Sequence, residues 1–326
     1  MQMISKKELN ELVEQSRAFS YQGTLPHYIP ALSKEEKSAL SVAICSDDLN
    51  ISAGDFHKTF TLQSISKIFA LAVALSDLGV DYVFQKVGME PTELSFNSKP
   101  EHITSIKPLN PMINAGALVV TDMIKSSYIH EKFEKIIALV RKMANNPKIS
   151  YSKTVAESEY NTSLRNRALC YSLKEQGFLQ NDVEKLLDVY TKQCAIKVSC
   201  KDLARIGYVL ANGGVDPETE NEILPKEITK IIMTFMVLCG MYNESGKFAI
   251  KVGIPAKSGV SGAILSFVPA RMGIGVYGPA LNEKGNSVAG IKLLESLSKK
   301  FHLNIFSLFN SRNCTRYFSQ TLNVIE

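Results

Sequence analysis

Tryptophan is missing from the 326 residues, and histidine is scarce: His27, His57, His102, His130 and His302 stand isolated along the chain. Cys45, Cys170, Cys194, Cys200, Cys239 and Cys314 include no Cys-x-x-Cys pair, and no histidine falls at ligand spacing from them. That excludes the sequence signatures of a zinc site or a dithiol redox centre, so the thiols are expected to be reduced packing residues, with no metal. The pattern Gly-x-x-x-x-Gly-Lys-Ser, which would cradle a nucleotide phosphate, is also absent. No apolar run is long and uninterrupted enough to span a bilayer. The opening Met1 to Leu9 lacks the apolar stretch and small-residue cleavage site of a secretory signal, which predicts a cytoplasmic address. The net charge is +5, yet the basic residues are scattered and form no stripe, so neither nucleic acid nor membrane is an expected partner. No internal repeat and no low-complexity tract interrupts the chain.

What remains is ordinary for a soluble globular protein: 45% hydrophobic and 21% charged residues, enough to fill the core of one large domain or two intimate subdomains. Leu9, Leu12 and Val13 place an amphipathic helix at about 5–18. Leu40 to Cys45 predicts a strand, and the Asp47–Asn50 turn leads to a second one. Helical patterns then occupy about 65–79, 114–126, 130–145, 164–176, 182–193, 201–212 and 226–239. After Met241 the pattern turns strand-like at Phe248–Val252, Ala263–Val268 and Met272–Tyr277, and a helix follows at about 288–302. This order predicts an α+β fold: an antiparallel sheet built from the two ends of the chain, with a large helical block inserted between them. The expected division is a sheet part at about 20–62 and 241–302, a helical part at about 63–240, and a C-terminal extension at 303–326 that carries Ile305, Phe306, Leu308 and Phe309.

Two short motifs carry chemistry. Ser64-Ile65-Ser66-Lys67 places a hydroxyl and an amine three residues apart, and Lys257-Ser258-Gly259 supplies the late companion of a Ser-x-x-Lys acyl-transfer device. After the extended Lys58–Leu62, the run from Ile65 to Leu75 is apolar on nearly every face, so it reads as a buried helix stopped at Gly79. Ser64 would then stand at a helix N-terminus, where unpaired N–H groups favour developing negative charge. Lys67 would lie one turn on, and desolvation lowers the pKa of a buried lysine, which makes it a general base. The structural alternative is Ser64 as an N-cap with Lys67 reaching solvent; the apolar surroundings of Lys67 weigh against it. The N–H of Ser64 and one near Val260 are natural oxyanion donors, with Gly259 and Gly262 allowing close backbone approach.

Tyr28, Asn114, Glu159, Asn166, Tyr190 and Tyr242 are further polar residues in apolar or turn contexts. Taken singly they have plain readings: Asn114 as a helix N-cap, Glu159 as solvated surface in a polar loop, Tyr190 on a helix and Tyr242 at a helix-to-strand junction as core rings with their hydroxyls at the rim.

Six blocks, in order, change that weighting. Gln63-Ser64-Ile65-Ser66-Lys67, Val87-Gly88-Met89-Glu90-Pro91, Asn110-Pro111-Met112-Ile113-Asn114-Ala115-Gly116-Ala117, Leu210-Ala211-Asn212-Gly213-Gly214, Cys239-Gly240-Met241-Tyr242 and Pro255-Ala256-Lys257-Ser258-Gly259-Val260 resemble those of the serine-dependent glutaminases. These are a branch of the β-lactamase and penicillin-binding-protein fold, and the likeness covers nearly all of residues 1–326 as a single domain. The resemblance implies hydrolysis of L-glutamine to L-glutamate and ammonia without a cofactor, by a homodimer or homotetramer. Carried over by matching position, it implies Ser64 as nucleophile, Lys67 as its base and Tyr242 beside Ser64 in proton transfer. Tyr28, Asn114, Glu159, Asn166, Tyr190 and Tyr242 would hold the substrate, Glu159 taking the α-ammonium, and Val260 N–H would share the oxyanion hole with that of Ser64. Ser261 and Ala263 stand where the family tends to have glycine, Thr92-Glu93 where it tends to have Ser-Gly, and no glycine lies between Glu159 and Asn166. The alternatives are a β-lactam-interacting serine hydrolase of the same fold, and a non-catalytic amino-acid-binding relative.

Overall fold

A computed structural model describes residues 4–91 and 107–307. The first half of the chain runs through α1 (Lys6–Arg17), β1 (Ser41–Cys45), β2 (Asn50–Gly54), β3 (Thr59–Thr61), α2 (Ser66–Leu78), α3 (Val80–Lys86), α4 (Asn114–Met123), α5 (His130–Ala144), β4 (Ser150–Tyr151) and α6 (Lys153–Thr162). It continues through α7 (Leu164–Glu175), α8 (Val183–Cys194), β5 (Ile196–Ser199), α9 (Cys200–Ala211), α10 (Lys226–Cys239), α11 (Ser245–Lys251), β6 (Ala256–Ser258), β7 (Ala263–Val268), β8 (Met272–Tyr277) and α12 (Val288–Phe301).

The two ends of the chain meet in one antiparallel sheet of order β2-β1-β8-β7-β6. β1 sits between partners from its own hairpin and from the far end, Ile44 lying opposite both Ile51 and Ile274. Every residue of β1, β7 and β8 is buried, because helices cover both faces. Alternation sorts the side chains: Val42, Ile44, Ile274 and Val276 pack with Leu9 and Val13 of α1 and Leu293 and Leu297 of α12. Ala43, Leu265 and Phe267 point the other way, into the core shared with Leu203, Ala204 and Ile206 of α9. α9 lies directly on the strand backbones; a Cβ on Gly207 would come within 2.6 Å of Ser266 O. α1 begins in a capping box, Ser5 Oγ accepting from Glu8 N while the Glu8 carboxylate accepts from Ser5 N.

The inserted block surrounds α2. Its residues Ser66 to Leu75 are all buried, among α4, α5 and α10, so this helix is apolar around its whole circumference. A small sheet of order β3-β5-β4 sits at its entrance, and Leu62 N donates to Ile196 O at 2.8 Å, carrying the β3 pairing to the threshold of Ser64. Among the described residues no helix is long and apolar enough to cross a membrane.

Three local expectations are corrected. Phe248–Val252 is not a strand: α11 covers Phe248 to Lys251. Phe248 and Val252 are buried while Ile250 is 83% exposed, which separates residues that a strand would place on one face. Glu159 is not in a polar loop but on α6, whose buried face is Val155, Ala156 and Glu159 itself. Consequently Tyr242 lies in a 3₁₀ turn between two helices, not at a helix-to-strand junction. Of the C-terminal stretch, Leu303 is buried and Ile305 N donates to Gly253 O; Leu308, Phe309, Cys314 and the rest of 308–326, like Thr92-Glu93 and His102, lie outside the described residues.

Candidate active site

Ser64 is presented by a strained turn. Chain leaving β3 enters a 3₁₀ turn, Gln63–Ile65, before α2 begins, and Gln63 adopts φ +48°. A left-handed conformation costs a non-glycine residue on the order of 1 kcal/mol, so its surroundings must enforce it. They do so through Ile65 N to Leu62 O (3.0 Å), Gln63 Nε2 to Thr61 Oγ1 (3.3 Å) and Ser261 Oγ to Thr61 O (2.7 Å). The last bond ties the β6–β7 turn to the segment that carries Ser64. Gly259 in that turn packs so closely that a Cβ would collide with Leu62 O. The N–H of Ser64 belongs to the first helical turn, where no carbonyl lies one turn behind to receive it. Among the described residues Val260 N–H makes no backbone hydrogen bond in its turn, which is closed instead by Gly259 N to Ala263 O and Gly262 N to Gly259 O.

Lys67 does not reach solvent. It is 1% exposed, and its Nζ donates to Met112 O at 3.0 Å and to Asn114 Oδ1 at 2.7 Å. Burial brings its pKa down to about 8, against a smaller raising influence of Cys194 and Glu159. The carbonyl of Met112 is aimed by Asn110, whose buried Oδ1 accepts from Met112 N and Ile113 N. Asn114 is not an N-cap. Ile113 holds that position without a side-chain bond, and the Asn114 amide bridges Lys67 to Asn166, donating to Asn166 Oδ1 at 3.0 Å.

Tyr242 reaches Ser64 from the 3₁₀ turn Tyr242–Glu244 that follows α10. It too has a left-handed backbone, φ +53°, and its ring is 9% exposed. Burial raises its pKa far above the ordinary phenol, opposed by a hydrogen bond with Ser64, so the hydroxyl stays protonated and in contact with the serine. Lys257 stands behind it. Fully buried and pushed well below the usual amine range by desolvation, its Nζ lies 4.6 Å from the Tyr242 ring centroid and donates to Gly240 O and Ser258 O. The lysine of the late motif therefore supports the tyrosine turn.

Glu159 is 8% exposed, and burial raises its pKa to about 7, partly offset by a hydrogen bond with Gln63 and by the charge of Lys67. Its Oε2 has no hydrogen-bond partner among the described residues. Tyr190 of α8 is buried, and the charges of Cys194, Glu159 and Tyr242 add to the rise in its pKa. Tyr28 is 53% exposed, but its hydroxyl is shielded and feels Tyr242 and Glu159. Its segment is anchored by Ala31 N donating to Ser158 Oγ at 3.3 Å, and by Ile29, which packs in a small cluster with Tyr242 and Val260. The nine residues singled out by sequence thus converge from both parts of the fold. Gln63, Ser66 and Cys194 were not singled out. Ser66 Oγ donates to Cys194 Sγ at 3.9 Å, and Cys194 hydrogen-bonds to Glu159. Gln63 had a readable signal in its place before Ser64; the thiol had none, since only the crossing of α8 over α2 brings it there.

The glutaminase family model matches residues 23–306. A glutaminase of Geobacillus thermodenitrificans is 53% identical over 309 residues, covering 94% of this chain and 100% of its own. Glutaminase 2 of Bacillus subtilis is 53% identical over 302 residues, covering 92% and 98%. Among solved structures, a probable Bacillus subtilis glutaminase complexed with 6-diazo-5-oxo-L-norleucine superposes with a TM-score of 0.86 at 39% identity, covering 94% of this chain and 99% of that one. A Bacillus subtilis glutaminase in covalent complex with 5-oxo-L-norleucine gives 0.83 at 38% identity, covering 92% and 99%.

Proposed function

This chain belongs to the glutaminase family, hydrolases that convert L-glutamine and water to L-glutamate and ammonia, and on that premise we propose that it works through a Ser64–Lys67 acyl-enzyme. One observation carries the proposal: Lys67, one turn from Ser64, is buried, pinned by two carbonyl acceptors and lowered to about 8. As a neutral amine it donates both hydrogens to Met112 O and Asn114 Oδ1, which leaves its lone pair as the acceptor for the hydroxyl proton. Ser64 Oγ then bonds to the δ-carbon of glutamine, and the carbonyl electron pair moves to oxygen, facing the N–H groups of Ser64 and Val260. Collapse of that intermediate breaks the C–N bond. Tyr242, protonated and bonded to Ser64, hands its proton to the departing nitrogen and is refilled from Lys67. Water attacks the ester by the same relay in reverse. The neighbour's covalent complex with 5-oxo-L-norleucine supports this course, because it places a nucleophile able to bond a glutamine-like ligand in a related glutaminase.

Glu159 fits the α-ammonium, being a buried carboxylate with an unpartnered oxygen. Asn114, Asn166, Tyr190 and Tyr28 supply the amide and hydroxyl donors that suit the α-carboxylate. On this reading the sheet part and the helical part act as one catalytic domain, since Ser64 and Lys67 come from one and Tyr242 and Val260 from the other.

The test is ammonia release from glutamine, with asparagine as control. Ser64→Ala and Lys67→Met are each expected to lower kcat by on the order of a thousandfold or more with the fold intact by circular dichroism. Glu159→Gln is expected to raise KM by roughly ten- to a hundredfold, the value of a charge-assisted bond. Turnover retained in Ser64→Ala overturns the mechanism.

A further inference from the structure

The proton relay needs the Tyr242 hydroxyl on Ser64, yet the backbone conformation that puts it there is unfavourable for tyrosine. Something must hold it. The turn is short: Glu244 N donates to Met241 O at 3.1 Å, and Ser245 Oγ donates to Tyr242 O at 2.9 Å while accepting from Met241 N at 3.0 Å. Lys257 fixes the residue before it by donating to Gly240 O. These bonds close the turn on itself and on β6, but its other end is secured from a different element.

That anchor is Asn286, immediately before the Ser287 cap of α12 and 0% exposed. Its Nδ2 donates to Met241 O at 3.2 Å and to Glu244 Oε2 at 2.8 Å, one on each side of Tyr242. An amide nitrogen has two hydrogens, so both are committed. Its Oδ1 has no hydrogen-bond partner among the described residues, which shows that the amide is oriented by its donors: turned over, it would set an oxygen against a carbonyl and a carboxylate. Asn282 adds a second donor to Glu244 Oε2 at 2.7 Å. It also closes its own loop onto Asn286, with Asn282 N to Asn286 O at 2.8 Å and Asn286 N to Asn282 Oδ1 at 3.1 Å. The Asn282–Asn286 loop is thus a rigid block bolted to the start of α12, gripping the tyrosine turn by a carbonyl and a carboxylate.

We propose that Asn286 and Glu244 are positioning residues for the hydrolysis, clamping the Met241–Glu244 turn so that the Tyr242 hydroxyl stays on Ser64. Neither touches substrate; both act through Tyr242. The inference rests on the relay role given to Tyr242 above. Asn286→Ala leaves Met241 O and the Glu244 carboxylate each short of a donor and frees the turn to relax. A small displacement of a reacting group costs up to about a hundredfold in rate, so kcat is expected to fall about ten- to a hundredfold with KM changed less than about threefold. Glu244→Gln keeps an oxygen facing both asparagine amides and should retain several times more activity than Glu244→Ala.

The decisive experiment is a double-mutant cycle in kcat, using Asn286→Ala, Tyr242→Phe and the pair, with Glu244→Ala and Glu244→Gln as a second arm should Asn286→Ala prove unstable in thermal melts. The clamp predicts that Asn286→Ala costs nothing further once the hydroxyl is gone. If the two losses multiply, or if Asn286→Ala and Glu244→Ala turn over at the normal rate, the clamp is rejected while the relay stands. Full activity in Tyr242→Phe alone rejects the relay instead, so the two failures are told apart.

Discussion

Among the buried titratable residues, Glu159 and Lys67 set the expected pH profile, and burial is the main cause of both shifts. Glu159 is raised to about 7 and Lys67 lowered to about 8. On the proposed mechanism the first must be ionised to pair with an ammonium, and the second must be neutral to take a proton. Both requirements are met by raising pH, so kcat/KM should climb between about pH 6 and 9 with no acid-side optimum below 7. A profile that falls across that range contradicts the assignments. Stability moves the other way for Glu159. Its folded pKa exceeds its unfolded value of 4.5, so its contribution is fully present below that value and is lost as pH rises through about 7. Glu159→Gln should therefore stabilise the protein at pH 8, by an amount on the order of 3 kcal/mol, and do little at pH 4, as read by thermal melting. A variant more stable only at low pH would refute this. Ser64 and Lys67 were legible because three residues on a helix are neighbours whatever the fold. Cys194 and the support role of Lys257 were not, since their partners are remote in sequence and met only through packing.

Elements with a long apolar stripe declared themselves: α1, α2, α8, α9, α10 and α12 lie close to where periodicity puts them. α11 did not, because five residues with Phe248 and Val252 buried fit a strand and a helix alike. α6 was hidden by its one buried carboxylate. The buried face of an otherwise polar helix is completed by Glu159, and a carboxylate there reads as surface. At this scale the connection between elements is also testable. Ser261 joins the β6–β7 turn to Thr61 O. Ser261→Ala should cost about 1 kcal/mol of stability, one hydrogen bond, and lower kcat more than KM because Val260 N–H loses its alignment with Ser64. Unchanged kcat with the expected loss in stability would show that the tie is only structural.

The molecule closes on itself: β1 and β2 from one end share a sheet with β6, β7 and β8 from the other, and α1 and α12 pack together against it. That much was legible, since apolar strand-like runs flank a long helical tract. The strand order within the sheet was not, because register is settled by pairing across more than two hundred residues. A sheet of this kind cannot form from one end alone. Unfolding followed by circular dichroism and by tyrosine fluorescence, in a chain with no tryptophan, is expected to give coincident transitions. Separate midpoints would mean that the helical block unfolds independently.

The central claim is that Ser64 forms the bond to the substrate carbon. Reaction of the protein with 6-diazo-5-oxo-L-norleucine, followed by proteolysis and peptide mass mapping, addresses it directly. A single adduct on Ser64, abolished in Ser64→Ala and slowed in Lys67→Met, is the predicted result; an adduct on any other residue, with Ser64 unmodified, would contradict it.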